Sequence, residues 1–124
     1  MRIGEWDGRV AIVTGSASGI GAAVAEKIRQ GGGKVIGFDL TAGPLRKMVD
    51  VADRAAVNRA VAEVMAEEGR IDMLVNVAGV GILGDILTVD PEDWDFVMRV
   101  NVTGTFNMCR AIAPIMANAG KGAI

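Results

Sequence analysis

Neither histidine nor tyrosine occurs in the chain, and cysteine occurs once, at Cys109. Without histidine the chain lacks the commonest general base and the commonest metal ligand. A lone thiol can form neither an internal disulfide nor a thiolate metal cluster, so no metal site is expected. Cys109 lies in an apolar, helix-patterned stretch and reads as a buried structural thiol. Long apolar runs are missing too: none reaches bilayer-crossing length, and Met1-Arg2-Ile3-Gly4-Glu5-Trp6-Asp7 has no apolar signal core. A soluble, cytoplasmic protein with no membrane partner is the expectation. The 13 basic and 15 acidic residues are mixed along the chain at net charge -2, which leaves no basic footprint for nucleic acid.

What is present points to a compact interior. Half of the 124 residues are apolar (51%) and 17 are glycine, which suits one domain with a modest core and many tight turns. The organising stretch is Val10-Ala11-Ile12-Val13-Thr14-Gly15-Ser16-Ala17-Ser18-Gly19-Ile20-Gly21. An apolar strand runs into three glycines, and an amphipathic segment leaves on the other side. Such a turn can bring backbone N–H groups and a helix N-terminus against a diphosphate. Side chains at Gly15, Gly19 and Gly21 would block the turn, the phosphate approach or helix-on-strand packing.

In chain order, Arg9 to Thr14 reads as a buried strand. Ile20, Ala23, Val24 and Ile28 form a helical stripe that stops at Gly31-Gly32-Gly33. Lys34 to Asp39 is the second strand, with an acid at its carboxyl end, and Arg46 to Val51 resembles an edge strand. Asp53 caps a helix whose stripe is Val57, Val61, Val64 and Met65 and whose end is Gly69. Ile71 to Val77 is a further apolar strand, and Val80 to Val89 is an apolar, Gly-punctuated loop or short-helix region. Asp90-Pro91-Glu92-Asp93 starts a helix, with proline at the first position and acids near the positive dipole end. From Val100 to Ala117 the pattern is apolar on nearly every side, predicting burial from two directions, with a bend or interruption at Pro114. Gly122-Ala123-Ile124 begins another strand. The order β-α-β-β-α-β-α-(β) predicts an α/β fold: a doubly wound, mostly parallel Rossmann-type sheet over residues 1–124, stopping as its fifth strand begins.

The glycine spacing differs from the usual dinucleotide fingerprint and lacks the Lys-Ser/Thr of a P-loop, which disfavours nucleoside triphosphate hydrolysis. Asp39, ending the strand about 20 residues on, suits a ribose diol and repels a 2′-phosphate. The ordered motifs together resemble the N-terminal half of a classical short-chain dehydrogenase/reductase. The family pattern Thr-Gly-x-x-x-Gly-Ile-Gly matches Thr14 to Gly21. Asp-x-Leu-Val-Asn-x-Ala-Gly matches Asp72 to Gly79, and the helical Asn motif matches Asn101-Val102-Thr103-Gly104. Asp50-Val51 matches the pair that contacts adenine in the family.

Residue by residue, the resemblance implies a bound NAD, with NADP disfavoured. Gly15, Ser16, Ser18, Gly19, Ile20 and Gly21 would cradle its diphosphate and ribose. Asp39 and Leu40 would hold the adenosine ribose, and Asp50 the adenine amino group. Val51 would give a backbone contact to the ring. Asn76, Ala78 and Gly79 would shape the wall beside the adenosine ribose and support the sheet. Asn101 would be the catalytic helix-kinking residue, whose carbonyl holds a water for proton relay. Where relatives carry a second Asn, this chain has Val77.

The family's chemistry also needs a Ser, a Tyr and a Lys that orient the carbonyl and pass the proton. This chain has no Tyr, and its only serines are Ser16 and Ser18. The resemblance therefore implies the cofactor-binding half of an oxidoreductase that interconverts a small-molecule alcohol and a carbonyl, not active by itself. The alternatives are a non-catalytic nucleotide-binding module and a purely structural fragment. In relatives the long helix after Asn101 packs on its counterpart, which implies a homodimer or homotetramer.

Overall fold

A computed structural model describes residues 4–124; Met1, Arg2 and Ile3, part of the N-terminal stretch discussed above, lie outside the described residues. Four strands, β1 (Val10–Thr14), β2 (Lys34–Asp39), β3 (Arg46–Met48) and β4 (Met73–Val75), form one sheet in the order β3-β2-β1-β4. All three strand pairings are parallel, with Ile12 opposite Ile36 on one side and Leu74 on the other. Ala123 adds a parallel bridge to Met73, where the sequence starts a further strand. Its N–H donates to the Asp72 carbonyl at 3.1 Å and its carbonyl accepts from Leu74 at 3.0 Å.

Alternation along each strand splits the core in two. Ala11, Val13 and Val35 face helix α1 (Gly19–Gln30) through Ala25 and Ile28. Ile12, Ile36, Phe38 and Leu74 face the other layer, α2 (Arg54–Glu68) and α4 (Thr105–Ala119). Helices on both faces explain why β1 is buried along its whole length and reads as a continuous apolar run. The doubly wound parallel sheet expected from the sequence is the fold.

Local chemistry accounts for the helix ends. The Asp53 carboxylate accepts from Ala56 N–H, and Gly69 closes α2 in a left-handed conformation at φ +74°. Asp90 caps α3 (Pro91–Met98) by accepting from Glu92 N–H at 3.0 Å. The Val80–Val89 region is an exposed loop, turned by Asp85, whose carboxylate accepts from Leu87 N–H.

Three expectations need correction. The buried face of α1 is Gly21, Ala25 and Ile28 with Val24 partly buried, not the Ile20–Ala23 edge; Ile20 is 74% exposed. Gly21 must sit against the preceding turn, which rotates Ile20 outward. Pro114 does not interrupt α4, which is continuous from Thr105 to Ala119. The proline is on an exposed face, where solvent can take the hydrogen bond it denies to the carbonyl one turn earlier. The irregularity falls earlier instead, as a π-helical turn over Arg99–Gly104 between α3 and α4. Finally, among the described residues α4 is covered from one side only. Asn107, Met108, Ile112 and Met116 are buried, whereas Val102 in the π turn and Phe106 are each 54% exposed.

Candidate functional site

The sheet changes direction between β1 and β4, because the chain runs outward through β2 and β3 and returns to the other side of β1. Open α/β sheets bind ligands at that point, outside the carboxyl ends of the strands. A cavity of 460 Å³ lies there. Every strand contributes the residues just beyond its end: Gly15 after β1, Asp39 and Leu40 at β2, Val49 to Ala52 after β3, and Val77 to Val80 after β4.

The turn after β1 is shaped by close approach. Gly15 has φ +63°, and a Cβ there would lie 3.0 Å from the backbone N of Ala78. A Cβ on Gly21 would overlap the Gly15 carbonyl oxygen, so the first turn of α1 can seat only on glycine. Thr14, 1% exposed, fixes the opposite wall: its hydroxyl accepts from the N–H groups of both Val77 and Ala78 at 2.9 Å. The Asp72 carboxylate accepts from Val10 N–H at 2.8 Å and pairs with Arg70, tying the start of β4 to β1. The Arg70 guanidinium holds the Asp72 carboxyl below the usual carboxylate range; burial opposes this and the Val10 hydrogen bond adds to it.

Ser18 precedes α1 in an extended conformation, and its hydroxyl makes no capping bond to the helix. The first turn of α1 also carries no acid. Ser18 and the first turn of α1 line the cavity with neither a side-chain cap nor an acid at the helix start, an arrangement that favours an anion. Asp39 sits beside them. Its carboxylate accepts from Ala17 N–H at 3.0 Å, and from the N–H and hydroxyl of Thr41, each at 3.1 Å. Partial burial pushes the Asp39 pKa up, but these bonds and the nearby Arg46 charge outweigh it, so the group lies below the ordinary carboxylate value. It is a fixed anion at neutral pH.

Of the residues singled out by sequence, Gly15, Ser18, Gly19, Ile20, Gly21, Asp39, Leu40, Asp50, Val51, Ala78 and Gly79 line the cavity. Ser16, Asn76 and Asn101 do not. Ser16 is buried under β2, next to Gly37, with no hydrogen-bond partner for its hydroxyl. The Asn76 side chain turns toward α4 and donates to the Cys109 sulfur at 3.6 Å, so it supports the sheet against that helix, as expected, but does not line the cavity. Cys109 is partly buried and packs against the core. Asn101, in the π turn, holds the Val80 backbone with two 2.8 Å bonds.

The sequence reading passed over Phe38, Val49, Ala52, Val80, Phe96, Arg99 and Val100, which also line the cavity. Phe96, Arg99 and Val100 follow the strong helix start at Asp90, but nothing local marks that helix as bordering the turn after β1. Among the described residues, no group of His, Cys, Asp and Glu could hold a metal ion, and no helix is long and apolar enough to cross a membrane.

A family model described as short chain dehydrogenase matches residues 9–124. The chain is 42% identical to the D-threitol dehydrogenase of Mycolicibacterium smegmatis, over 95% of this chain and 51% of that protein. Among solved structures it superposes on one described as a short-chain dehydrogenase/reductase from Burkholderia xenovorans, with TM-score 0.92 and 32% identity, over 98% of this chain and 56% of that one. The 3-ketoacyl-(acyl-carrier-protein) reductase of Brucella melitensis, solved in complex with NADH, matches with TM-score 0.87 and 32% identity, over 92% and 52%. The chain thus spans about half the length of these relatives.

Proposed function

Because the chain belongs to the short chain dehydrogenase family, we propose that its cavity binds NAD, in preference to NADP, for an oxidoreductase that interconverts an alcohol and a carbonyl. The observation that carries this reading is the Asp39 carboxylate, ionised and oriented at the cavity wall by Ala17 and Thr41. It can accept from a ribose diol and repels a phosphate on the same ribose. The rest of the cavity fits a dinucleotide. An uncapped helix start and the Ser18 hydroxyl suit a diphosphate, and its 460 Å³ lies within the roughly 300–1,000 Å³ of small-molecule sites.

A bound nicotinamide supplies hydride transfer. The residues here bind and orient: Gly15, Gly19, Ile20 and Gly21 at the diphosphate, and Asp39 and Leu40 at the ribose. Asp50 and Val51 take the adenine, with Ala78 and Gly79 as the facing wall. Ser16 and Asn76 act from behind that surface. Asn101 positions Val80, and its place in a π turn suits a carbonyl that holds a water. No tyrosine or histidine is present to pass a proton, so these residues account for binding and not for turnover. The exposed Val102 and Phe106 support a homodimer or homotetramer packed along α4. The compartment we propose is the cytosol, which the unpaired thiol of Cys109 suits.

Calorimetric titration tests the reading. NAD should bind and NADP should bind at least tenfold more weakly, and Asp39→Ala should narrow the gap. Equal or tighter binding of NADP to the unsubstituted protein would overturn the preference.

A further inference from the structure

Among the described residues, three charged side chains line the cavity, and two of them, Asp39 and Asp50, are acids. The third is Arg99. None of the ion pairs among the described residues involves it. Its guanidinium lies instead 5.7 Å from the centroid of the Phe96 ring, and both side chains line the cavity. An arginine set on an aromatic ring is held in orientation without being neutralised.

Two contacts fix which part of the cavity this pair borders. Gly104, at the end of the π turn, packs on Val51 so closely that a Cβ would lie 2.5 Å from Val51 Cγ2. Asn101, two residues after Arg99, clasps Val80. The π turn is therefore wedged between the loop after β3 and the loop after β4. Arg99 and Phe96 line the same cavity as Asp50, Val51 and Val80, on the wall that this turn and the end of α3 supply. With the dinucleotide reading above, that is where a purine ring would lie.

We propose that Arg99, braced by Phe96, forms the outer wall of the purine end of the cavity and stacks its guanidinium plane on the base. This rests on the dinucleotide reading and deepens it. The stack needs a flat, electron-rich face and no particular edge pattern, so it adds affinity for the base while Asp50 reads the edge. The charge has a second effect. The ligand class is a dianionic diphosphate, and the other two charged groups in the cavity repel it. Arg99 offsets part of that repulsion, an effect that weakens with added salt.

The test is titration of the protein, and of Arg99→Ala, Arg99→Gln and Arg99→Lys variants, with NAD, and separately with AMP, at low and high salt. Arg99 is exposed, so the variants should melt at the unsubstituted temperature without ligand, which separates binding from folding. Arg99→Ala should weaken both ligands by about five- to tenfold, in line with stacking and cation–π magnitudes. Arg99→Gln, planar but uncharged, should keep part of the affinity and lose the salt dependence. Arg99→Lys should keep the salt dependence and lose part of the affinity. If the unsubstituted protein binds NAD and AMP and Arg99→Ala binds them equally well, this inference is wrong and the dinucleotide reading survives. If the unsubstituted protein binds neither ligand, both fall together.

Discussion

The side chain of Asn101 holds the backbone of Val80 at both ends, its Oδ1 accepting from the Val80 N–H and its Nδ2 donating to the Val80 carbonyl, each at 2.8 Å. A side-chain amide carries both an acceptor and a donor, so it can satisfy the N–H and the C=O of one residue at once. The clasp joins the loop after β4 to the π turn, and so joins two walls of the cavity.

Removing the clasp should loosen the loop before it affects the fold. Asn101→Ala is expected to cost about 1 kcal/mol in urea unfolding, the usual net for exchanging such bonds for water. Amide hydrogen exchange at Val80 should quicken while β1 and β2 stay protected. Unchanged exchange at Val80 would mean that the loop is held by something else.

Thr14 gives a larger effect because its own side chain is buried and serves two donors. Thr14→Val keeps the shape but leaves the Val77 and Ala78 N–H groups without their acceptor. With the residue 1% exposed, two orphaned donors should cost about 2–4 kcal/mol. Thr14→Ser keeps the hydroxyl and should recover most of that loss. Equal stability of the Val and Ser variants would remove the hydroxyl from the account.

Acid should find the Asp72 linkage. Its carboxyl is held below the ordinary value of 3.8 in the folded chain by Arg70 and Val10 N–H against partial burial. A group with a lowered folded pKa contributes stability above its unfolded value and loses it as pH falls through the folded one. Stability should therefore decline as pH drops below about 3.8, with Asp39 contributing in the same direction. Asp72→Asn should flatten that decline in denaturant midpoints measured against pH. An unaltered slope would show that other carboxylates govern acid unfolding.

Self-association should run through α4. Light scattering is expected to give a mass above that of one chain, and Phe106→Glu should lower it by placing a charge on an apolar surface. A monodisperse monomer for the unsubstituted protein would contradict this.

Much of this architecture is legible in the chain because its local signals agree with the global fold. Asp53 with Gly69, and Asp90 with Pro91, mark helix ends by hydrogen-bonding chemistry that acts within a few residues. The run from Lys34 to Asp39 is legible because β2 is central and apolar on both faces. The misses share another cause. Hydropathy cannot see that Gly21 must meet Gly15, so it assigns Ile20 to the core. The kink expected at Asn101 is there, but its form, a π turn over Arg99–Gly104 set against Val80 and Val51, rests on contacts made across the fold. Asn76 reads from its motif as both cavity wall and sheet support, and only the support is there, since its partner is Cys109, 33 positions on. Arg99 carries no local mark either, since it lines the cavity only in the folded chain, where its turn packs on Val51 and Val80.

The central claim is that the cavity at the strand ends is a dinucleotide site, and amide chemical-shift mapping with NAD tests it most directly. Shifts should concentrate at Gly15 to Gly21, Asp39 and Leu40, Asp50 and Val51, and Ala78 to Val80. No response to NAD, or shifts confined to the separate groove lined by Arg54, Asn58 and Arg110, would contradict the account.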